Sequence, residues 1–109
     1  MTRTNFGFAA GVLVLLSSPL HAEELPTPKA DSFLAGASAN SQAIVRDAKG
    51  HIENWAEFCG KGLDGRSDAV RDSGMRLKAT RQIQGWNQDE SKAAARYFGI
   101  ACHETGNGG

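Results

Sequence analysis

Two cysteines constrain the fold of this chain more than any other feature. Cys59 and Cys102 are the only cysteines among its 109 residues, and they lie 43 residues apart. In an exported protein such a pair predicts one intramolecular disulfide, because a single pair allows only one connectivity. The chain-entropy treatment assigns a closed loop of this length about 4 kcal/mol, which is comparable to the net stability of a small domain. Free thiols and an intermolecular bridge are the alternatives.

The first 22 residues have the pattern of a signal peptide. Arg3 gives a positive start, an apolar run follows over residues 6–16, and Ala22 is the small residue expected before a cleavage site. A helix that crosses a bilayer needs about 20 apolar residues, and this run is much shorter. A retained membrane anchor is the alternative. We expect cleavage before Glu23 and a periplasmic or secreted product with no stable membrane insertion.

The size and charge of the remaining chain limit its partners. Removal of 22 residues from 109 leaves 87, which is enough for one small domain. Of the charged residues only Arg3 is lost, so 11 basic residues face 12 acidic ones and the net charge is −1. This balance argues against a nucleic-acid partner and gives no electrostatic reason to bind an anionic membrane.

The hydrophobic pattern predicts an all-α fold with irregular ends. Residues 23–37 contain Pro26 and Pro28 and are predicted to be a flexible leader, in which a short helical turn could form. Apolar residues at helical spacing then define a helical domain over residues 38–105. The glycine-rich residues 106–109 are predicted to be a disordered tail.

Three helices are predicted within the helical domain. The first covers residues 38–59, and a turn at residues 63–65 separates it from a second helix that begins at Ser67 and ends near Gln84. The third follows a capping box of Asn87 and Glu90 and ends near Glu104. The main stripe residues are Val45, Ala48, Ile52, Trp55 and Cys59, then Val70, Gly74 and Leu77, then Ala94, Tyr97, Phe98, Ala101 and Cys102.

The short connections favour antiparallel neighbours, so the C-terminal ends of the first and third helices should meet. Cys59 and Cys102 lie near those two ends and within the apolar stripes. The predicted fold is therefore a small up-down-up three-helix bundle with one disulfide that joins helix 1 to helix 3. Trp55 falls within the first stripe and is predicted to lie in the core.

The sequence shows no motif for catalysis or for a metal. The spacing of histidines and cysteines matches no zinc site, and no serine lies in a nucleophile-elbow motif. We therefore predict no catalytic residues, no metal ligands and no cofactor. Non-covalent haem binding, with His51, Met75 or His103 as an axial ligand, is the alternative.

One basic segment is a weak candidate for partner binding. Residues 73–88 contain Arg76, Lys78 and Arg81 and no acidic residue, and Trp86 follows them. Trp and Arg are favoured at the centres of protein interfaces, so the segment could receive an acidic partner surface. A solvated helix face, with Trp86 covering one end of the core, is the alternative.

These observations favour a binding module over an enzyme. A small, rigid, exported helical domain suits non-covalent binding to a protein partner in the cell envelope, as an inhibitor, an immunity-type protein or an accessory subunit. A periplasmic holding chaperone for stress conditions is an alternative of similar size and disulfide content. A carrier of a small ligand or haem is the other alternative.

Overall fold

The computed structural model describes residues 25–108, and within this range the chain forms five α-helices and no β-strand. The all-α prediction is confirmed, whereas the prediction of three helices is wrong. The predicted signal peptide, residues 1–22, lies outside the described residues. The helices are α1 (Pro28–Ala35), α2 (Ala39–Lys49), α3 (Trp55–Gly60), α4 (Gly62–Ala79) and α5 (Gln88–Glu104). None of them is long and apolar enough to cross a lipid bilayer.

The predicted first helix over residues 38–59 is interrupted. Helix α2 ends at Lys49, and Asn54 starts α3 because its side-chain oxygen accepts a hydrogen bond of 2.8 Å from the backbone N–H of Glu57. Ile52, in the interruption, is still buried with 4% of its surface exposed. The apolar stripe therefore continues through the break, which is why periodicity alone could not locate it.

Helix α4 starts earlier than the sequence predicted. Its first turn contains residues 63–65, which were predicted to be a turn between helices, so Ser67 lies inside the helix and is not its N-cap. Gly62 has a φ of 69°, a conformation that glycine adopts without strain, and it lets the chain change direction directly after α3. The connection between α3 and α4 is consequently much shorter than expected.

Helix α4 also ends earlier than predicted, at Ala79 instead of near Gln84. The backbone N–H of Gln82 donates to the carbonyl of Leu77 at 2.8 Å, and that of Arg81 donates to Lys78 at 3.0 Å. This is a Schellman motif in which Arg81, with a φ of 62°, occupies the left-handed position. Glycine or asparagine would have marked this helix end in the sequence, and an arginine does not.

The predicted capping box at the start of α5 is confirmed. The Asn87 side chain accepts from the Glu90 N–H at 2.8 Å, and the Glu90 carboxylate accepts from the Asn87 N–H at 3.1 Å. At the other end, the N–H groups of Asn107 and Gly108 donate to the carbonyl of Cys102 at 2.9 and 2.7 Å. Residues 106–108 of the predicted disordered tail thus fold back on the last turn of α5.

Within the predicted leader, where the sequence allowed a short helical turn, residues 28–35 form the helix α1. Thr27, the N-cap residue, makes no side-chain capping bond, and the Glu104 carboxylate of α5 takes this role. It accepts hydrogen bonds from the backbone N–H groups of Lys29 at 2.9 Å and Ala30 at 2.8 Å. An acidic group at a helix N-terminus is favourable for both hydrogen bonding and the helix dipole. These contacts attach α1 to α5.

The predicted disulfide is confirmed, and it connects α3 to α5. The Cα atoms of Cys59 and Cys102 are 5.7 Å apart. An aromatic cluster of Trp55, Phe58 and Phe98 lies in the same part of the core, with ring centroids 5.3 to 6.2 Å apart. Trp55 is 1% exposed, so the prediction that it is a core residue is also confirmed.

Candidate functional site

A groove of about 890 Å³ runs between α4 and α5. Its lining is mainly apolar, and Leu63 is unusually exposed for a large apolar side chain, with 62% of its surface open to solvent. Grooves with an apolar floor and a few polar groups are typical binding sites in proteins. The apolar lining comprises Leu63, Val70, Trp86, Ala95, Gly99 and Ile100.

The charged residues of the groove all have the same sign. Arg66 and Arg71 come from α4, Lys92 and Arg96 come from α5, and no acidic side chain lines the groove. Since basic and acidic residues nearly balance over the whole chain, charge is segregated on the surface of the molecule. The groove is therefore a local positive surface on a nearly neutral protein.

The four cations of the groove differ in what holds them. Arg71 already pairs with Asp68 at 3.3 Å and Asp72 at 3.4 Å, on the outer side of α4. The Arg96 guanidinium lies 5.5 Å from the centroid of the Phe33 ring of α1, which orients it by a cation–π contact. Within the described chain, no salt bridge joins a carboxylate to Arg66 or Lys92.

Trp86 closes one end of the groove, and a glycine of α4 makes room for it. A Cβ atom added at Gly74 would lie 2.8 Å from the Cη2 and Cζ2 atoms of the indole, which is closer than real contacts of this kind. Gly74 is buried and Trp86 is partly exposed. The close approach therefore lets the indole pack against α4, and Trp86 also lines the groove.

The four residues of the predicted basic patch do not form one surface. Trp86 lines the groove, whereas Arg76 lines a second cavity. Lys78 and Arg81 are exposed and line neither. The separation follows from helix geometry, because successive residues turn by 100° and Arg76 therefore points away from Gly74, where Trp86 rests.

Arg76 is held by an internal ion pair. Its Nε and Nη2 atoms both bond to one carboxylate oxygen of Asp47 on α2, at 3.0 and 2.8 Å, and Nη2 also donates to the Ser73 hydroxyl at 2.9 Å. His51 Nδ1 lies 3.2 Å from Nη2. The guanidinium thus already pairs with Asp47 and joins α4 to α2.

The second cavity, of about 350 Å³, lies on nearly the opposite side of α4 from the groove. Its lining includes four carboxylates, of Glu53, Glu57, Asp68 and Asp72, together with the cations of Lys61 and Arg76. The described residues contain no group of three or more metal-ligating side chains arranged to hold an ion. This cavity therefore has no feature that identifies a ligand.

The three residues considered as haem ligands are not gathered in one place. His51 lines the second cavity and His103 lines the groove. Met75 is 57% exposed and lines neither. The structure thus brings no two of them to a common cavity.

Glu90 fixes the end of α5 from which the groove starts. In addition to its capping role, its carboxylate accepts a hydrogen bond of 2.7 Å from the Ser38 hydroxyl and one of 3.2 Å from the Asn40 amide. The hydrogen bond from Ser38, with those from the Asn87 backbone and Asn40, lowers the pKa of Glu90 below its ordinary value. These bonds join the N-terminal ends of α2 and α5.

The sequence signal for the groove was present but weak. Lys92 and Arg96 lie four residues apart on α5, and the small residues Ala95 and Gly99 have the same spacing. The groove also needs α4 beside α5, which no local pattern shows. No protein-family model, curated protein or solved structure matches this chain, so its function must be inferred from its own residues.

Proposed function

We propose that this chain is a small exported helical protein that binds a protein partner in the cell envelope through the groove between α4 and α5. The observation that carries the proposal is a concave apolar surface bordered by cations on both helices and by no carboxylate. Aromatic and arginine side chains are enriched at the centres of protein interfaces, and the groove offers Trp86, Arg66 and Arg96.

The disulfide supports a site of action outside the reducing cytosol. Bonds such as Cys59–Cys102 persist in the periplasm and in secreted proteins, where they stabilise domains with small cores. Together with the signal-peptide pattern of residues 1–22, this favours export. The proposal requires no catalytic step and no cofactor.

The proposal is tested with a photo-crosslinking amino acid placed at one of two serines. Ser67 is exposed and lines the groove, whereas Ser32 is exposed on α1 and lines no part of it. Each variant is expressed as the full chain, irradiated in intact cells, and its adducts are identified by mass spectrometry. Ser32 is the matched control because the same side chain is replaced at a similarly exposed helical position.

We expect one envelope protein to be crosslinked from position 67, in an amount that saturates with expression, and not from position 32. Equal labelling of many proteins from both positions would contradict the proposal and favour the holding chaperone. No protein adduct at position 67, with a small molecule copurifying instead, would contradict it in favour of a carrier.

A further inference from the structure

Helix α5 has two faces with the spacing of helix–helix contacts, of which one is buried and the other is only partly buried. The buried face consists of Ala94, Tyr97, Phe98, Ala101 and Cys102, at intervals of three and one. The groove face repeats the same intervals from Ser91 and Lys92 through Ala95, Arg96, Gly99 and Ile100. This is the pattern by which one helix packs against another.

The dimensions of the groove match a helix of about four turns. Along α5 it extends from Gln88 to His103, which at 1.5 Å per residue is about 22 Å. Ala95 lies in the middle of this length, and its small side chain allows an approaching backbone to come closer than a larger one would. The Arg66 guanidinium lies beside Gly99, one turn farther along α5, where it can meet an anion of the occupant.

The positive charges of the groove indicate that its binding partner is negatively charged on both sides of the contact. Arg66 on one side of the groove and Lys92 on the other have no carboxylate partner among the described residues. Arg96 is already oriented by Phe33, so it loses little side-chain entropy when it binds an anion. An occupant with carboxylates on both sides of an apolar stripe would meet all three cations.

Building on the proposed function, we infer that the groove binds an acidic amphipathic helix of the partner protein. The apolar stripe of that helix lies on Leu63, Trp86 and Ile100, and its acidic flanks face Arg66, Lys92 and Arg96. The binding mode is the insertion of a helix into a hydrophobic groove. The length of the groove, about 22 Å along α5, and its helix-contact spacing favour this occupant over an anionic lipid surface.

Peptide binding to the full, disulfide-bonded chain tests this inference. The probe is a labelled, helix-constrained peptide of about 15 residues, with leucines on one face and glutamates on both flanks. A second peptide has lysine at every glutamate position, and vesicles of anionic lipid form the third arm. Affinity is measured by fluorescence anisotropy for the peptides and by sedimentation for the vesicles.

Three variants locate the binding. Arg66→Glu removes a groove cation, and Arg46→Glu is its matched control because Arg46 is exposed on α2 and lies outside the groove. Gly99→Leu introduces a large side chain into the groove, at a position where the added Cβ would meet nothing closer than Arg66 Nε at 3.8 Å. Its folding is checked by circular dichroism.

We expect the glutamate peptide to bind and the lysine peptide not to bind. Arg66→Glu should weaken the affinity about tenfold, Gly99→Leu by at least about tenfold, and Arg46→Glu less than about twofold. Equal affinity for both peptides, or vesicle binding that Gly99→Leu abolishes, would overturn the inference. If neither peptide binds but position 67 still crosslinks one protein, the inference fails and the proposed function stands. If that crosslink is also absent, both fail.

Discussion

Alanine substitution should stabilise the protein at Gly99 but not at Gly74, although the chemical change is the same. Both glycines lie inside long helices that border the groove. An added Cβ at Gly99 meets only Arg66 atoms, at 3.8 and 3.9 Å, which is ordinary van der Waals contact. At Gly74 it would lie 2.8 Å from the Trp86 indole. The comparison therefore isolates the packing of Trp86 on α4.

Two contributions determine how much each substitution changes the free energy of unfolding. Replacing glycine by alanine in a helix interior gains about 1 kcal/mol in each variant. Gly74→Ala must also displace the indole, and overpacking of this kind costs about 1–3 kcal/mol. The free energy of unfolding should thus rise by about 1 kcal/mol in Gly99→Ala, while in Gly74→Ala it should be unchanged or lower by up to about 2 kcal/mol.

Urea unfolding of the disulfide-bonded chain measures both values. For a domain of this size, 1 kcal/mol corresponds to a change in Tm of about 4–8 °C, so thermal unfolding provides a second readout. The tryptophan fluorescence should change more in Gly74→Ala than in Gly99→Ala, since an added Cβ approaches the Trp86 indole only at Gly74. Equal stabilisation of the two variants would refute the packing of Trp86 on Gly74.

Four further predictions concern the scaffold. Cys59→Ser should lower the free energy of unfolding by about 4 kcal/mol in the chain-entropy model, and a loss below about 1 kcal/mol in urea unfolding would contradict it. Glu104→Ala should cost about 1 kcal/mol and accelerate amide exchange at Lys29 and Ala30. Arg81→Gly should raise the unfolding free energy by up to about 1 kcal/mol by relieving the positive φ. Because the folded-state pKa of Glu90 is below its ordinary value of 4.5, its contribution is present above that pH and is lost as pH falls through the lower value, so Glu90→Gln should flatten the acid side of the stability profile.

The features that could be predicted from the sequence are those fixed by local chemistry or by a pair of residues. The disulfide followed from two cysteines near helix ends, and the start of α5 followed from the spacing of Asn87 and Glu90. The buried face of α5 was fully predicted by its apolar period, including Tyr97 and Phe98. These signals lie within one helix or in a unique pairing, so no tertiary information was required.

The features that were missed depend on the rest of the fold. The break between α2 and α3 keeps Ile52 and Trp55 buried, so the apolar stripe does not reveal it. Helix α1 forms because Glu104 caps it from a distance of 74 residues along the chain. Arg76 was assigned to a binding patch because its partner, Asp47, lies 29 residues earlier on another helix. Such contacts become visible only when the helices are assembled.

The groove, like these contacts, could not be predicted from the sequence of either helix alone. Each helix contributes a mixed polar and apolar face that resembles an ordinary solvated surface when it is considered alone. Only the adjacency of α4 and α5 places the Arg66 guanidinium of α4 beside Gly99 of α5, in a groove that Lys92 also lines. Trp86 was identified in the sequence for its residue type. Its position at the end of the groove depends on Gly74, because any larger residue there would collide with the indole.

The most direct test of the central claim is an NMR titration of the nitrogen-15-labelled, disulfide-bonded chain with the protein crosslinked from position 67. The account predicts that amide shifts are largest on the groove faces of α4 and α5, around Val70, Ala95 and Gly99. Largest shifts on α2 and α3, around the second cavity and the Asp47–Arg76 pair, would contradict it.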